Sequence, residues 1–258
     1  MLAMRKIFLF ILIFSATVGC AANATSTVTP PIAPSPTPEP IVVAVSPVLG
    51  NFWGEILRAC AWGQPQTLLL TEEAASLYPD VSNADLTLWW GNPNDYPLLS
   101  EPGVFATSLG EESLVIIVHQ DNPLTSLTAQ NLQDIYSAQV QTWRQVTAQN
   151  ALGEIQVWIY PNAHPLRHAF DQVILPQENL TSYAHLAPSP EAMLEAVREN
   201  PSAIGYVPRQ FLIAGTNVKE IPLQPRSEGF RQPILGIAAE EPGGNLAELL
   251  LCLQINFP

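Results

Sequence analysis

Residues 162–170, NAHPLRHAF, hold the densest group of chemically capable side chains in this sequence. His164 and His168 stand four apart, with Pro165 and Arg167 between them. Three chemistries suit such a set. Two imidazoles at i and i+4 on a helix can share a metal ion, but a stable zinc site asks for a third protein ligand. No cysteine or acidic residue placed to complete it is apparent, and the helical wheel turns Leu166, Ala169 and Phe170 inward and His168 outward. Acid–base or nucleophilic catalysis needs a partner for the imidazole. His119 and His185 lie at a strand end and in a loop, and no G-x-S-x-G nucleophile turn is present. The third chemistry is anion binding at a helix N-terminus, where free amides and the helix dipole attract negative charge. The arginine would pair with the anion. The plainer roles are a helix cap for His164, set just before Pro165, and a surface salt bridge for Arg167.

A scaffold must place that segment, and the sequence reads as an α/β protein. IQVWIY (155–160), immediately upstream, has the β-branched and aromatic content of a strand. Apolar runs alternate with amphipathic stretches from Ile41 onward. IVVAV (41–45), TLLL (67–70), ADLTLWWG (84–91), SLVIIVH (113–119), SAIGYVP (202–208) and PILGIAA (233–239) are further strands. Ser46-Pro47 has the residue types of a helix start, and Leu49, Phe52, Trp53, Ile56, Leu57 and Cys60 continue it at helical spacing. LTAQNLQDIYSAQVQTW (127–143) predicts a helix capped by Thr128 and stapled by Leu127 and Leu132. PEAMLEAVREN (190–200) and NLAELLLCLQ (245–254) are the remaining helices. Trp89 and Trp90 alternate faces in their strand, which predicts one in the core and the other toward a cleft.

The N-terminus has a different character. Arg5 and Lys6 precede the apolar run IFLFILIF (7–14), too short to span a bilayer, and SATVGC ends it at Cys20. Residues 1–20 read as a lipoprotein leader with Cys20 the lipidated residue, the alternative being an ordinary secretory leader. Residues 21–40 are rich in Pro, Ser and Thr, the composition of an extended tether. The working domain is then residues 41–258, held outside a bacterial membrane. Ten basic against 23 acidic residues give a net charge of −13, more negative still once Arg5 and Lys6 leave with the leader. That balance argues against nucleic acid and anionic lipid surfaces as partners. Cys60 and Cys252 are either a disulfide or two buried thiols.

The chain resembles the phosphate-type solute-binding proteins of ABC transporters. The resemblance rests on Asn122-Pro123, Leu127-Thr128, Ile135-Tyr136, Ala138 at a position where relatives have glycine, Trp143, and AIGYV (203–207). It implies a two-lobed periplasmic-binding-protein-like type II fold with two crossover strands and an inter-lobe cleft. Lobe I would hold about 41–117 and 220–258, and lobe II about 118–219. It also implies no catalysis, no cofactor, a monomer, and a small solute, oxyanion or carboxylate, passed to an ABC permease. Relatives carry Ser-Gly-Thr-Arg where this chain has His164-Pro165-Leu166-Arg167, so the arginine stays and the hydroxyls are gone. The ligand-binding set implied is Ser46, Asn92, His164, Arg167 and Tyr206, with Trp89, Trp90 or Tyr206 as walls. The thinned anion turn also admits a sensor or scaffold with the same fold and a degenerate site. A histidine-dependent metal enzyme is the remaining alternative.

Overall fold

The computed structural model describes residues 40–61, 68–72, 78–147, 152–176, 179–212, 217–225 and 228–256. The leader, Cys20 and the tether up to residue 39 lie outside the described residues. The described residues form nine strands: β1 (Ile41–Val45), β2 (Leu68–Glu72), β3 (Leu86–Trp90), β4 (Phe105–His119), β5 (Gln156–Ile159), β6 (His185–Leu186), β7 (Ala203–Pro208), β8 (Val218–Ile221) and β9 (Arg231–Ala238). Five helices cover them: α1 (Gly50–Ala61), α2 (Ala129–Tyr136), α3 (Pro165–Ile174), α4 (Pro190–Glu199) and α5 (Gly244–Asn256).

The 15-residue strand β4 organises the molecule. Its first part, Phe105 to Ser113, pairs with β9. Its second part pairs with β7 from Leu114 to Val118 and with β8 from Ile116 to His119. The sequence changes character at the same point. Up to Ser113 polar and apolar residues are mixed and exposure alternates, whereas Leu114–His119 is buried throughout, as befits a strand covered on both faces. The sheet order is β2-β1-β3-β9-β4-β7-β5-β6, with β8 on β4 off that path. The return chain, β8 then β9, runs back antiparallel to β4 and leaves it between Ile221 and Arg231.

Strand directions fix where a site can form. β1 and β3 run parallel to each other, and β3 reaches β4 through the antiparallel β9, so both run along β4 in its own direction. β7 is antiparallel to β4, and β5 is parallel to β7. The C-terminal ends of β1 and β3 therefore point toward those of β5 and β7, meeting near the middle of β4. In open α/β sheets ligands sit at such carboxyl ends.

Several elements depart from the expected pattern. The helix predicted over 127–143 stops at Tyr136, because Ala138 has φ 62°; an L-residue there strains the backbone and cannot continue a right-handed helix. Thr128 does cap α2, its Oγ accepting from the Asn131 amide at 3.0 Å. Trp89 and Trp90 were expected to divide between core and cleft, and both are buried. Trp89 packs with Tyr96, Leu235 and Ile237, while Trp90 joins the main core and its Nε1 donates to the Glu112 carbonyl at 3.1 Å. Both faces of β3 are covered, so alternation places the two rings in two cores. Gly205 lets α4 approach closely: a Cβ there would stand 2.5 Å from Met193 Sδ, so that buried side chain would have to shift. Cys60 and Cys252 form a disulfide joining α1 to α5, which resolves the question left by the sequence.

Candidate functional site

The turn after β1 is pinned first. The Ser46 amide donates to the Leu88 carbonyl of β3 at 3.0 Å, and the Ser46 carbonyl accepts from the Leu49 amide at 2.9 Å. A 3-10 turn, Pro47–Leu49, results, and Gly50 at φ 57° redirects the chain into α1. Ser46 thus stands at a cap position without a side-chain cap bond. Its residue is 1 % exposed and its Oγ has no hydrogen-bond partner. After β3, half-buried Asn92 folds onto its own turn: Oδ1 accepts from the Asn94 amide at 3.0 Å and from Asn94 Nδ2 at 3.1 Å.

The turn after β5 is more internally bonded. His164 caps α3, its Nδ1 accepting from the Leu166 amide at 3.2 Å. Its carbonyl accepts from the amides of Arg167 and His168 at 3.0 and 3.1 Å. The imidazole stacks on Tyr160 with centroids 4.4 Å apart. It is 3 % exposed, and burial lowers its pKa to about 4, so the ring is neutral near pH 7. Proline at the first helical position supplies no amide hydrogen, and the Leu166 amide is already held by the cap. Few hydrogen-bond donors at this helix start are therefore left for an anion.

Arg167 forms an ion pair, but not the surface bridge considered from sequence. Its Nε lies 2.6 Å from Asp171 Oδ2, with side-chain exposures of 11 % and 31 %, and its Nη1 donates to the Tyr160 carbonyl at 3.2 Å. Burial raises the Asp171 carboxyl, opposed by the hydrogen bond and charge of Arg167, while Asp171 Oδ1 is buried without a partner. Tyr206 has no exposed surface. It stacks on Phe170 at 4.1 Å and meets Tyr160 edge-on at 5.2 Å. Its hydroxyl is also unpartnered, and burial pushes its pKa well above the usual tyrosine range.

The structure therefore gathers His164, Arg167 and Tyr206 around Tyr160, whose ring, carbonyl and hydroxyl each engage one of them; the hydroxyl donates to the Tyr206 carbonyl at 2.9 Å. Ser46 belongs to the facing turn, and Asn92 is bonded locally. One link between the two sides is Gln210, just beyond β7, whose Nε2 donates to the Val48 carbonyl at 3.1 Å. Buried Glu112 holds that segment, accepting from the amides of Arg209 at 3.2 Å and Gln210 at 3.3 Å. Burial raises the Glu112 carboxyl against these donors. His168 is exposed and bonded to Gln172 at 2.9 Å, facing away from His164, so the two imidazoles do not converge on one ion. A cavity of about 360 Å³ lies where the return chain leaves β4, bordered by Leu114, Ile116, Arg209, Glu220, Phe230 and Arg231; none of the five predicted residues lines it.

Tyr160, Asp171, Glu112 and Gln210 were not anticipated as site residues. Asp171 had a usable signal, since it stands four residues after Arg167 and helical spacing makes those two neighbours. Glu112 and Gln210 are 98 residues apart, and only the strand pairing joins them.

A sequence family described as the PBP superfamily domain matches residues 96–224. No curated protein matches the sequence. Among solved structures, the chain is similar to a putative phosphate ABC transporter substrate-binding protein from Clostridium perfringens, with bound phosphate. That pair has 15 % identity and a TM-score of 0.70, over 84 % of this chain and 93 % of that one. An ABC-type phosphate transport receptor from Vibrio cholerae gives 16 % identity and a TM-score of 0.61, covering 84 % and 93 %. The CcmR regulatory domain from Synechocystis, in complex with 2-PG, gives 13 % identity and 0.62, covering 84 % and 97 %. At these identities the likeness is one of fold.

Proposed function

Because this chain belongs to the PBP superfamily, we propose that it is an exported solute-binding protein that captures a small anionic solute and passes it to an ABC permease. The observation that carries this reading is the convergence of the C-terminal ends of β1 and β3 on those of β5 and β7, with the Arg167 guanidinium beside the second set. Under it, residues 1–20 are a lipoprotein leader, Cys20 carries the lipid and residues 21–40 are the tether. The parts around 41–117 with 220–258, and around 118–219, are two lobes that close on the solute as a monomer. Ser46, Asn92, His164, Arg167 and Tyr206 are the proposed site, with Tyr206 supporting from beneath. No cofactor takes part. The disulfide between Cys60 and Cys252 supports an oxidising compartment outside the cytoplasm.

A thermal-shift screen of the purified protein against oxyanions, carboxylates, amino acids and sugars tests the reading. A solute at a hundred times its Kd stabilises the native state by about 2.7 kcal/mol. Arg167→Ala should weaken binding of an anionic hit by roughly 1.5–3 kcal/mol, as expected for a charge-assisted hydrogen bond. Metabolic labelling with a radioactive fatty acid checks the anchor, and the label should disappear in Cys20→Ala. A second reading, a sensor or scaffold that does not transport, is favoured by the bond from Gln210 to Val48, which ties the two sides through protein atoms. Silence across the whole screen would support it.

A further inference from the structure

Resting on the two-lobe reading, we propose that Arg209–Phe211 is a strap. It follows β7, is positioned by Glu112 of β4, and fastens on the turn after β1 that Ser46 opens. It gates entry of the solute by holding the two lobes together until it lets go.

The strap starts with a turn that cannot cap itself. Arg209–Phe211 is a 3-10 turn whose cap residue is Pro208, which offers no side-chain acceptor and makes no cap bond. The acceptor comes instead from 97 residues earlier in the chain. Glu112 Oε1 accepts from the Arg209 amide at 3.2 Å and Oε2 from the Gln210 amide at 3.3 Å, while the Ser113 amide donates to Oε1 at 2.6 Å. A buried carboxylate is costly unless donors surround it, and two of these three donors belong to the strap. The main chain of Glu112 is held from the other lobe, its carbonyl accepting from Trp90 Nε1 of β3 at 3.1 Å. One residue thus joins β3 to the segment beyond β7.

Past its cap the strap reaches across. Gln210 Nε2 donates to the Val48 carbonyl at 3.1 Å. Phe211 lies over Gly50, where a Cβ would stand 2.6 Å from the ring Cζ. The two contacts fall on either side of Leu49, in the turn that leads from Ser46 into α1. Every atom of this tie belongs to the protein, so nothing need be bound for it to form. It is also a light tie. It consists of one neutral hydrogen bond and one half-buried ring, and Gln210 Oε1 is left without a partner. Water replaces such a bond at small net cost, which suits a fastening that has to open. β4 and the return chain link the lobes covalently, and the strap adds a reversible link to them.

Gln210→Ala/Phe211→Ala unfastens the strap and leaves Glu112 in place. Spin labels on cysteines introduced at exposed Glu101 and Ala129, one in each lobe, report the spacing by double electron–electron resonance with the native disulfide intact. Hydrogen exchange of the Leu49 amide, which donates to the Ser46 carbonyl, reports the turn. With no solute added, the wild type should give one narrow distance. The double variant should add a population displaced by more than about 2 Å, the scale of a domain rearrangement. Its Leu49 amide should exchange about two- to tenfold faster, the equivalent of one neutral hydrogen bond. Glu112→Gln, which keeps the size and gives up the charge, should shift the distance the same way by less, although it leaves both fastening side chains intact. Should the double variant fail a thermal melt, Gln210→Ala alone carries the same expectation. A broad distance in the wild type would uphold two movable lobes and overturn the strap. A narrow, unchanged distance in every variant overturns the strap as well. If Leu49 exchange still rises in that case, the segment only braces the turn, and the movement of the lobes falls with it.

Discussion

The turns after β1 and after β5 share a plan, a polar cap residue followed by proline, yet they use it in opposite ways. His164 turns its Nδ1 onto the Leu166 amide at 3.2 Å and lays its ring on Tyr160. Ser46 keeps its hydroxyl out of every hydrogen bond, although it is equally buried. The difference follows from what comes next. After Pro165 the chain enters an α-helix at once, so the amide two residues beyond the cap faces back toward it. After Pro47 it makes a 3-10 turn closed by the Ser46 carbonyl, and Gly50 at φ 57° resets the direction before α1 begins. One turn has satisfied itself, and the other keeps an unbonded polar atom beside the end of β3. An X-Pro pair in a sequence marks where a helix begins, but not whether its cap remains available to a ligand.

The largest effect separating the two turns should come from pH. Burial holds the folded-state pKa of His164 near 4, below the value of about 6.5 for an unfolded histidine. The folded protein therefore binds that proton less readily than the unfolded chain. Its contribution to stability is complete above pH about 6.5 and is lost as pH falls toward 4, by about 1.4 kcal/mol per unit and about 3 kcal/mol in all. Urea denaturation across this range should show the slope, and His164→Asn, which keeps a cap acceptor, should flatten it. A slope unchanged in the variant would assign the effect elsewhere.

Gly50→Ala should come next, at about 2 kcal/mol, since a side chain at positive φ is strained. Its Cβ would also stand 2.6 Å from Phe211 Cζ. Chemical denaturation measures the loss. The smallest effects sharpen the contrast best. His164→Ala should cost about 1 kcal/mol as a lost cap, whereas Ser46→Ala should stay within about 0.5 kcal/mol or stabilise, because no hydrogen bond is broken. Equal losses in the two variants would show that the Ser46 hydroxyl is bonded in solution after all.

Much of the fold could be read from the residues. The apolar cores of β1, β3, β5, β7 and β9, the stripes of α1 and α4, the apolar run of α5 and the cap at Thr128 all follow from periodicity and local propensity. What escaped depended on distant partners. The first half of β4, with Thr107, Ser108, Glu111 and Glu112, lacks a strand's usual apolar alternation and is fixed by pairing to β9. β8, Val-Lys-Glu-Ile, is half charged and takes its conformation from β4. The site divided in the same way. The His164 cap was anticipated from its place before Pro165. The burial of Arg167 against Asp171 was not, because a wheel drawn on α3 alone omits what lies beside the helix: the Tyr160 carbonyl that accepts from Arg167 and the Tyr206 ring stacked on Phe170.

The bond between Cys60 and Cys252 spans 192 residues, nearly the whole folded domain. In the chain-entropy description, closing a loop of that size stabilises the native state by roughly 5 kcal/mol. It also makes the domain a covalent ring. Strands β2 to β9 and helices α2 to α4 lie inside that ring, while the helices that close it lie at its two ends. A protease that cut anywhere between α1 and α5 would leave the pieces joined, and they would part only on reduction. If residues 21–40 tether the domain as proposed, a ring nicked in this way keeps every piece attached.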